Sequence, residues 1–268
     1  MTTLKIGDLT ITPLSDGHFT LPRTIFPNAG DQDAGLEMPA TLNSFLITDK
    51  NRKILIDTGA GKTFADTLGC LPRALAEQNT NPFDITDIFL THGHLDHLGG
   101  LVTPEGDIIF PHAEIYIQDH ELSFWFNDDI YNSVDEGTKF YFNIARKALT
   151  PYKNTDQVKT FKANADMGGG IFAVDLPGHT AGHTGFRLTS GDDQLLIWGD
   201  IIHIPSIQML HPEWSNNFDF DNDIANKTRQ RILDEVATDH IKITGLHLPH
   251  PHFFFVKKIN DGFCFSEN

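Results

Sequence analysis

Cysteine is scarce in this sequence of 268 residues. The two cysteines, Cys70 and Cys264, form no CxxC pair, which argues against a disulfide-rich scaffold and a cysteine-rich zinc module. The two cysteines could pair, although two free thiols in a reducing compartment are the simpler interpretation. The N-terminal segment MTTLKIGDLT lacks the apolar centre of a signal peptide. No apolar run approaches the roughly 20 residues of a membrane span. We therefore expect a cytoplasmic protein that does not bind a membrane.

Positive charge is scarce as well. The 20 Lys and Arg residues are outnumbered by 36 Asp and Glu residues, which gives a formal net charge of −16. Because such a surface repels nucleic-acid phosphates, we expect no nucleic-acid partner. A GxSxG nucleophile motif is also missing, which argues against a serine hydrolase. These absences favour a small-molecule substrate, and a homodimer stays an open alternative to a monomer.

Histidine, by contrast, is abundant, with 14 residues. The segment THGHLDHLGG at positions 91–100 places His92, His94, Asp96 and His97 within six positions. Residues two apart in an extended chain point to the same side, so His92 and His94 can bind one ion. Asp96 and His97 follow a turn and can face a neighbouring ion. Four such groups buried without an ion would leave costly unpaired polar atoms, so the segment predicts a metal site.

Further ligands are expected at other strand ends, because two zinc ions need about seven or eight His or carboxylate ligands plus solvent. Three candidates follow predicted strands: His179 in LPGHTAGH, Asp200 in IWGD and His247 in GLHLP. Ligands at the carboxyl ends of strands are typical of sites in open α/β sheets. The nearby His250 and His252 compete with His247 for the last position.

The hydrophobic pattern predicts strands near the start of the chain and before each candidate ligand. Residues 9–22 alternate between apolar and polar around Asp16-Gly17, which indicates a β-hairpin. Residues 41–61 indicate two more strands joined by a polar turn. Short apolar strands are expected directly before His92, His179, Asp200 and His247.

Four segments have a helical pattern, at residues 63–78, 113–127, 138–149 and 222–240. Pro72 is expected to kink or interrupt the first of them. The last one places Ile224, Ile232, Leu233 and Val236 on one face. Because strands and helices alternate without a linker, we predict one layered α/β domain over residues 1–268.

The chain resembles the metallo-β-lactamase superfamily of dinuclear metal hydrolases. The resemblance runs through ILIDTGAG, THGHLDHLGG, LPGHTAGHTGF, IWGDIIHIP and GLHLP, and so covers nearly the whole sequence. It implies a four-layer αββα sandwich of the α/β (α+β) class. Two packed sheets would lie between outer helices, and the metal site would lie at one edge of the two sheets.

The resemblance also implies a role for each candidate ligand. His92, His94 and His179 would bind the first metal, Asp96, His97 and His247 the second, and Asp200 would bridge both. Asp57, in DTGAG, resembles the family's buried aspartate that orients a ligand imidazole. A turn-forming aspartate is the alternative interpretation of Asp57. His183 is expected to be a structural histidine near the metals rather than a ligand.

Three segments indicate which branch of the superfamily the chain resembles. GDLTITPLSDGHFTLP, GDIIHIPSIQ and HLPHPHFFFV are most similar to the branch that contains methyl parathion hydrolase and related lactonases and arylesterases. Acyl-homoserine lactonases of the superfamily often place a tyrosine three residues after the bridging aspartate, where it polarises the substrate carbonyl. Here that position is His203. Its imidazole either donates a hydrogen bond to the substrate or is satisfied by backbone in a tight loop.

The expected reaction is hydrolysis of an ester, a lactone or an organophosphate. Two metals that share a water lower its pKa toward neutral and polarise the electrophilic oxygen. Asp96 or Asp200 would carry the proton to the leaving group, and His203 completes the candidate catalytic residues. Zinc is the expected metal, with Mn, Fe and Co as alternatives. A redox-active di-iron or sulfur-metabolising member of the fold and a non-catalytic metal-binding protein are the alternative functions.

Aromatic residues supply the candidates for the substrate pocket. Phe124 and Trp125 lie in SFWFNDDIY, while Phe26 and Trp214 lie on expected loops. These side chains form either an apolar wall for the substrate or part of the hydrophobic core. The pattern by itself allows both interpretations.

Overall fold

The computed structural model describes residues 3–30, 35–62, 65–249 and 253–266. His250 and His252, the alternatives to His247 as a ligand, lie outside these ranges. Among the helices of the described residues, none combines the length and the apolar composition needed to cross a bilayer.

Within the described ranges, the first sheet has seven strands, which pair in chain order from β1 to β7. Their bounds are Leu4–Ile6 (β1), Leu9–Pro22 (β2), Glu37–Thr48 (β3), Lys53–Ile56 (β4), Asp87–Phe89 (β5), Glu114–Gln118 (β6) and Val158–Phe161 (β7). The first four strands are antiparallel neighbours, whereas β4 to β7 run parallel. Parallel strands end at the same edge, so the segments after β4 and β5 meet there.

The second sheet has five strands in the described residues, in the order β12-β11-β10-β9-β8. Their bounds are Asp166–Gly168 (β8), Ile171–Asp175 (β9), Thr184–Ser190 (β10), Asp193–Ile197 (β11) and Lys242–Thr244 (β12). β11 and β12 are parallel, and the other pairs are antiparallel. A hairpin of Phe255–Ile259 (β13) and Gly262–Ser266 (β14) follows near the C-terminus.

Seven α-helices occur in the described residues: Leu71–Glu77 (α1), Leu95–Leu98 (α2), Asp119–Trp125 (α3), Asp128–Ser133 (α4), Glu136–Asn154 (α5), Pro205–Gln208 (α6) and Asn222–Thr238 (α7). Buried side chains of α1, α3 and α5 share a hydrophobic cluster with β4, β5 and β6. Buried side chains of α7 and of the β13–β14 hairpin share another cluster with β11 and β12. The helices therefore cover the outer faces of the two sheets.

A third hydrophobic cluster lies between the sheets. It joins Phe45, Ile54 and Phe89 of the first sheet to Phe186 and Leu195 of the second. Successive side chains of a strand point to opposite faces of its sheet, so one set fills the core between the sheets and the other fills the core under the helices. The order of layers is helices, sheet, sheet, helix, which confirms the predicted αββα sandwich.

The predicted hairpin over residues 9–22 is wrong, because β2 continues through Asp16-Gly17 with a β-bulge. The Asp16 carboxylate accepts hydrogen bonds from the backbone N–H groups of Ala60, Gly69 and Leu71. Gly17 has a φ of +137°, and a Cβ there would lie 2.0 Å from the Thr67 carbonyl oxygen. Long-range contacts of this dipeptide therefore replace the local turn that its sequence favours.

The predicted helix over residues 63–78 is shorter than expected. Its described part contains α1, which begins only at Leu71 and has Pro72 in its first turn. A proline is tolerated there because the first N–H groups have no partner within the helix. The predicted helices over 138–149 and 222–240 are confirmed as α5 and α7, although Ile224 is 43% exposed and does not join the buried face of α7.

Residues 113–127 also differ from the predicted single helix. The segment begins as β6, where Ile115 and Ile117 are both buried. Helix α3 starts at Asp119, and the Gln118 side chain caps it by accepting a hydrogen bond from the His120 N–H. The first part of the segment is a strand rather than a helix because it pairs with β5 and β7 inside the sheet. The burial of apolar residues two positions apart is the pattern expected of such a strand.

Candidate metal centre

The seven candidate ligands lie together at the edge where strands of both sheets end. The histidine-rich segment follows β5, His179 follows β9, Asp200 follows β11 and His247 follows β12. These residues form overlapping groups whose ligand atoms lie within 4.8 Å of one another. The sequence therefore placed the candidate ligands at the correct strand ends, and the packing of the two sheets brings them together.

The first group contains three imidazoles. The Nδ1 atom of His94 lies 3.0 Å from His92 Nε2 and 3.0 Å from His179 Nε2. Burial lowers the pKa of His92 and of His94 well below the ordinary value, and the neighbouring imidazoles add to this effect. Both rings are therefore neutral, which is the form in which histidine binds metals.

The second group contains Asp96, His97 and His247. The Oδ2 atom of Asp96 lies 3.5 Å from His97 Nε2 and 3.5 Å from His247 Nε2. The Nδ1 atom of His247 lies 2.9 Å from the Thr41 carbonyl oxygen, which accepts its hydrogen. This contact leaves the Nε2 lone pair of His247 directed at the carboxylates.

The carboxylate of Asp200 lies between the two groups. Its Oδ2 atom is 3.1 Å from His247 Nε2, 3.2 Å from His97 Nε2 and 3.5 Å from His179 Nε2. His203 also contacts this oxygen, at 3.2 Å through Nε2. Asp200 is thus positioned where a ligand shared by two ions would have to lie.

Unpaired atoms show that these residues fit a metal cofactor. The buried His97 Nε2 and Asp200 Oδ1 atoms have no hydrogen-bond partner among the described residues. Burial alone would lower the pKa of His97, but the carboxylates of Asp200, Asp96 and Asp57 together raise it well above its ordinary value. This concentration of negative charge and orphaned ligand atoms suits a divalent cation, which takes imidazole nitrogen and carboxylate oxygen.

Asp57 lies directly behind His97. Its Oδ2 atom is 2.8 Å from His97 Nδ1, and the carboxylate also accepts hydrogen bonds from the N–H and the hydroxyl of Thr91. Burial raises the pKa of Asp57, and these contacts oppose the rise. The hydrogen bond keeps the proton on Nδ1 and turns Nε2 toward the site, as the orienting role expected of Asp57 requires. Its φ of +56° also agrees with the turn interpretation.

Asp219 lies behind His179 as Asp57 lies behind His97. The sequence analysis did not single out Asp219. Its Oδ1 atom lies 2.9 Å from His179 Nδ1, while its Oδ2 atom accepts hydrogen bonds from Arg229 and Asn216. Burial raises its pKa, but the contacts with His179 and Arg229 outweigh burial and hold the pKa of Asp219 below its usual range. The only sequence signal was an arginine on the buried face of α7.

Both ring nitrogens of His183 face backbone groups instead of the space between the candidate ligands. Its Nδ1 atom lies 3.0 Å from the Leu176 carbonyl oxygen, and its Nε2 atom accepts a hydrogen bond from the Asp200 N–H at 2.9 Å. Burial lowers the pKa of His183 to about 3, so the ring is neutral at pH 7. These contacts agree with the structural role expected from the sequence, since they hold the backbone of Asp200 in place.

Asp219→Ala is expected to lower the free energy of unfolding by about 3–5 kcal/mol, because it leaves the buried Arg229 guanidinium without its carboxylate. The matched control is Asp234→Ala, which removes the exposed ion pair with Lys258 and should change stability by at most about 1 kcal/mol. Urea unfolding followed by circular dichroism measures both. Equal losses in the two variants would show that Asp219 and Arg229 do not act as a buried pair.

A cleft opens onto the ligand cluster. Its apolar wall consists of Phe19, Leu21, Phe140, Tyr141 and Phe218, and its floor includes ligand candidates from both groups. Among the described residues that line it, there is no Lys or Arg. An apolar wall thus faces a few polar groups of the ligand cluster, so the cleft is the candidate substrate pocket.

The four aromatic residues suggested by the sequence do not line this cleft. Phe26 and Trp125 are buried in hydrophobic clusters, and Trp214 and Phe124 pack against the same clusters. The core interpretation therefore describes them better than the pocket interpretation. The aromatic side chains that do line the cleft lie on β2, on α5 and before Asp219, where they showed no distinguishing pattern.

A comparison with protein-family models matches residues 40–243 to the metallo-beta-lactamase superfamily. The chain belongs to this superfamily. The expected family is thus confirmed over most of the sequence, including six of the seven candidate ligands. His247 lies just beyond the matched range, and it contacts Asp200 from there.

Two solved structures of the superfamily fold are similar to nearly the whole chain. One is the hydrolase AbOPH, with 26% sequence identity and a TM-score of 0.89 over 98% of this chain and 95% of that chain. The other is AidC, a dizinc quorum-quenching lactonase in complex with a product. It has 29% sequence identity and a TM-score of 0.87 over 100% of this chain and 97% of that chain. Both agree with the hydrolase and lactonase branch expected from the sequence.

Two curated relatives match shorter stretches. A probable metallo-hydrolase, YflN of Bacillus subtilis, is 24% identical over 174 residues, which are 62% of this chain and 59% of the relative. An atrochrysone carboxyl ACP thioesterase of Aspergillus chevalieri is 33% identical over 104 residues, 39% of this chain and 31% of the relative. The matches thus span less than two thirds of either relative. Family and neighbours together support a metal-dependent hydrolase.

Proposed function

We propose that this protein is a dinuclear metal hydrolase that cleaves uncharged esters, lactones or phosphotriesters. The position of Asp200 carries the proposal, since its Oδ2 atom lies 3.2 Å from His97 Nε2 and 3.5 Å from His179 Nε2. These two imidazoles belong to different ligand groups. A structural site closes with four ligands, so six further ligand candidates around a shared carboxylate favour two ions and catalysis.

In this proposal His92, His94 and His179 would hold one ion, Asp96, His97 and His247 would hold the other, and Asp200 would be available to both. When bound, two such ions lower the pKa of water and polarise a carbonyl or phosphoryl oxygen. Zinc is the preferred metal, because the donors are imidazoles and carboxylates and the neighbour AidC is described as a dizinc enzyme.

The residues of the chain orient the ligands and move the proton. Asp57 and Asp219 hold the Nδ1 hydrogens of His97 and His179, so that the Nε2 lone pairs face the site. Asp96 lines the cleft and its side chain is 24% exposed, whereas that of Asp200 is 2% exposed. Asp96 is therefore the preferred group to accept a proton from water and pass it to the leaving group.

The cleft supports an uncharged substrate. Its apolar wall suits an acyl or aryl group, and no described lining residue carries a cationic Lys or Arg side chain that would pair with a substrate anion. The net charge of −16 disfavours anions further. Phosphomonoesters and free carboxylates are expected to be poor substrates.

A hydrolysis panel on metal-loaded protein tests this proposal. p-Nitrophenyl butyrate, a diethyl p-nitrophenyl phosphotriester and an aliphatic δ-lactone represent the three uncharged classes. p-Nitrophenyl phosphate is the matched control, since it has the same leaving group but an anionic phosphoryl group. We expect metal-dependent turnover of at least one uncharged class and much slower turnover of the anion. No turnover of any uncharged class, or a preference for the anion, would overturn the proposal.

His203→Ala is expected to lower kcat by up to about 10²-fold, because one donor to a developing oxyanion is lost. The ring lines the cleft, and its Nδ1 atom has no hydrogen-bond partner among the described residues. Burial lowers the pKa of His203 to about 4, so the imidazole is neutral and carries one hydrogen. Donation to the substrate from Nδ1 requires the tautomer with the hydrogen on Nδ1 rather than on Nε2, which faces Asp200.

Metal content measured alongside the kinetics separates the roles of His203. A lower kcat with both ions retained supports hydrogen-bond donation. Loss of an ion would instead make His203 a ligand, since His179, Asp200 and His203 also lie within ligand distance of one another. Unchanged kinetics on every accepted substrate would show that the ring only packs against His247, on which it stacks.

A further inference from the structure

A buried glutamate that is absent from the ligand set joins two loops of the candidate metal centre. Glu121 lies in α3 and is fully buried. Its Oε1 atom accepts hydrogen bonds from the Gly93 N–H at 2.8 Å and the Trp125 indole N–H at 2.6 Å. Its Oε2 atom accepts from the Gly182 N–H at 2.7 Å and the Thr180 hydroxyl at 2.8 Å. All four partners donate, which suits an ionised carboxylate.

The partners of Glu121 lie beside the three imidazoles of the first group. Gly93 separates His92 from His94 in the loop after β5, and Thr180 directly follows His179 in the loop after β9. The two loops leave different sheets. One carboxylate therefore connects the backbones that carry all three imidazoles.

Close packing makes this connection rigid. A Cβ atom at Gly93 would lie 2.2 Å from the Trp125 indole nitrogen, and one at Gly182 would lie 2.5 Å from the Glu121 backbone nitrogen. Both loops thus approach α3 as closely as glycine permits. Burying a charged group costs free energy unless every acceptor is satisfied, so the four bonds hold the loops strongly.

We propose that Glu121 is a positioning residue that sets the distance between the His92–His94 loop and the His179 loop, and thereby the metal affinity of the first group. The proposal rests on the proposed function, in which these imidazoles bind one of two ions. Metal–nitrogen distances of about 2.0–2.1 Å leave little tolerance for a loop displacement. Groups that position ligands commonly change metal affinity by roughly 10- to 100-fold.

Glu121→Gln is the first test, because glutamine keeps the shape but replaces one acceptor oxygen with an NH₂ group. At least one loop N–H or hydroxyl then faces a donor instead of an acceptor. Titration of the metal-free protein with Zn²⁺ against a chromophoric chelator measures both equivalents. We expect one Zn²⁺ ion per chain to bind roughly 10- to 100-fold more weakly than in the wild type, and the other Zn²⁺ ion to keep its affinity.

Two variants of Thr180 provide an independent test if Glu121→Gln does not fold. Thr180→Val removes one of the four donors at nearly constant volume and should weaken the same equivalent, whereas Thr180→Ser keeps the hydroxyl and should bind as the wild type does. Tyr152→Phe is the control for general destabilisation, since the Tyr152 hydroxyl makes buried hydrogen bonds to the Leu101 carbonyl and the Phe110 N–H rather than to either loop held by Glu121. It should lower the melting temperature and leave both affinities unchanged.

The outcomes separate this proposal from the proposed function. A wild-type protein that binds no metal would overturn the dinuclear function itself. A wild type that binds two ions, with the same affinities in Glu121→Gln or, where that variant is unfolded, in Thr180→Val, would overturn the positioning role alone. Equal weakening of both equivalents, or weakening in Tyr152→Phe as well, would also overturn it, since general destabilisation would then explain the effect.

Discussion

Asp200→Ala is expected to reduce kcat/KM by at least about 10³-fold, which exceeds the usual effect of removing one stabilising group from an active site. The carboxylate contacts imidazoles of both proposed metal groups, and its Oδ1 atom is buried without a partner among the described residues. In the proposed dinuclear centre, its removal would take a ligand from both ions at once and leave His97 and His247 facing a cavity. Kinetics on the substrate class accepted in the panel, together with elemental analysis, measure the loss.

Asp193→Ala is the matched control, because Asp193 is an exposed aspartate at the other end of the same strand, β11. Its kinetics and metal content should equal those of the wild type. An Asp200→Ala variant that keeps two ions and loses less than about 10-fold in kcat/KM would show that this carboxylate is not shared between metals. His250→Ala and His252→Ala should both cost less activity than Asp200→Ala if His247 is the last ligand.

Removal of metal by a chelator is expected to abolish hydrolysis and to lower the melting temperature. Three carboxylates, those of Asp57, Asp96 and Asp200, lie close to His97. Without a cation, their repulsion and the unpaired ligand atoms are left uncompensated. A ligand present at 1,000 times its dissociation constant stabilises the folded state by about 4 kcal/mol, and the metal-free protein loses that contribution for each ion. Scanning calorimetry and activity, before and after reloading, record both effects.

The amount and the identity of the metal that restores activity distinguish the dinuclear hydrolase from the alternative functions. We expect about two equivalents of Zn²⁺ at full reconstitution, and recovery of activity with Mn²⁺ or Co²⁺ as well. Full activity at one equivalent would exclude the dinuclear proposal. Recovery with iron alone, coupled to consumption of oxygen, would favour the redox alternative. Two bound ions with no turnover in the panel would leave a metal-binding protein without hydrolase activity.

The sequence predicted correctly those turns and strands that depend on contacts between residues close together in the chain. The polar turn between β3 and β4 forms as expected, with the Asp49 side chain accepting hydrogen bonds from the backbone of Asn51 and Arg52. The strands before the candidate ligands were recognisable as short apolar runs. Where a local signal competed with long-range contacts, the contacts prevailed. Asp16-Gly17 favours a turn by itself, but the Asp16 carboxylate is held by backbone N–H groups more than 40 residues away.

The sequence by itself determined the family, the layered α/β architecture and the identity of the candidate ligands. It did so because HxHxDH, the strand-end Asp200 and the strand-end histidines are local patterns of metal-binding side chains. Only the tertiary structure decided which groups surround them. Asp219 contacts His179 across 40 residues, and Glu121 contacts Gly93 across 28. The wall of the cleft joins Phe19 of β2 to Phe140 of α5 and to Phe218. Such contacts depend on how two sheets and their helices pack, and no periodicity along the chain encodes them.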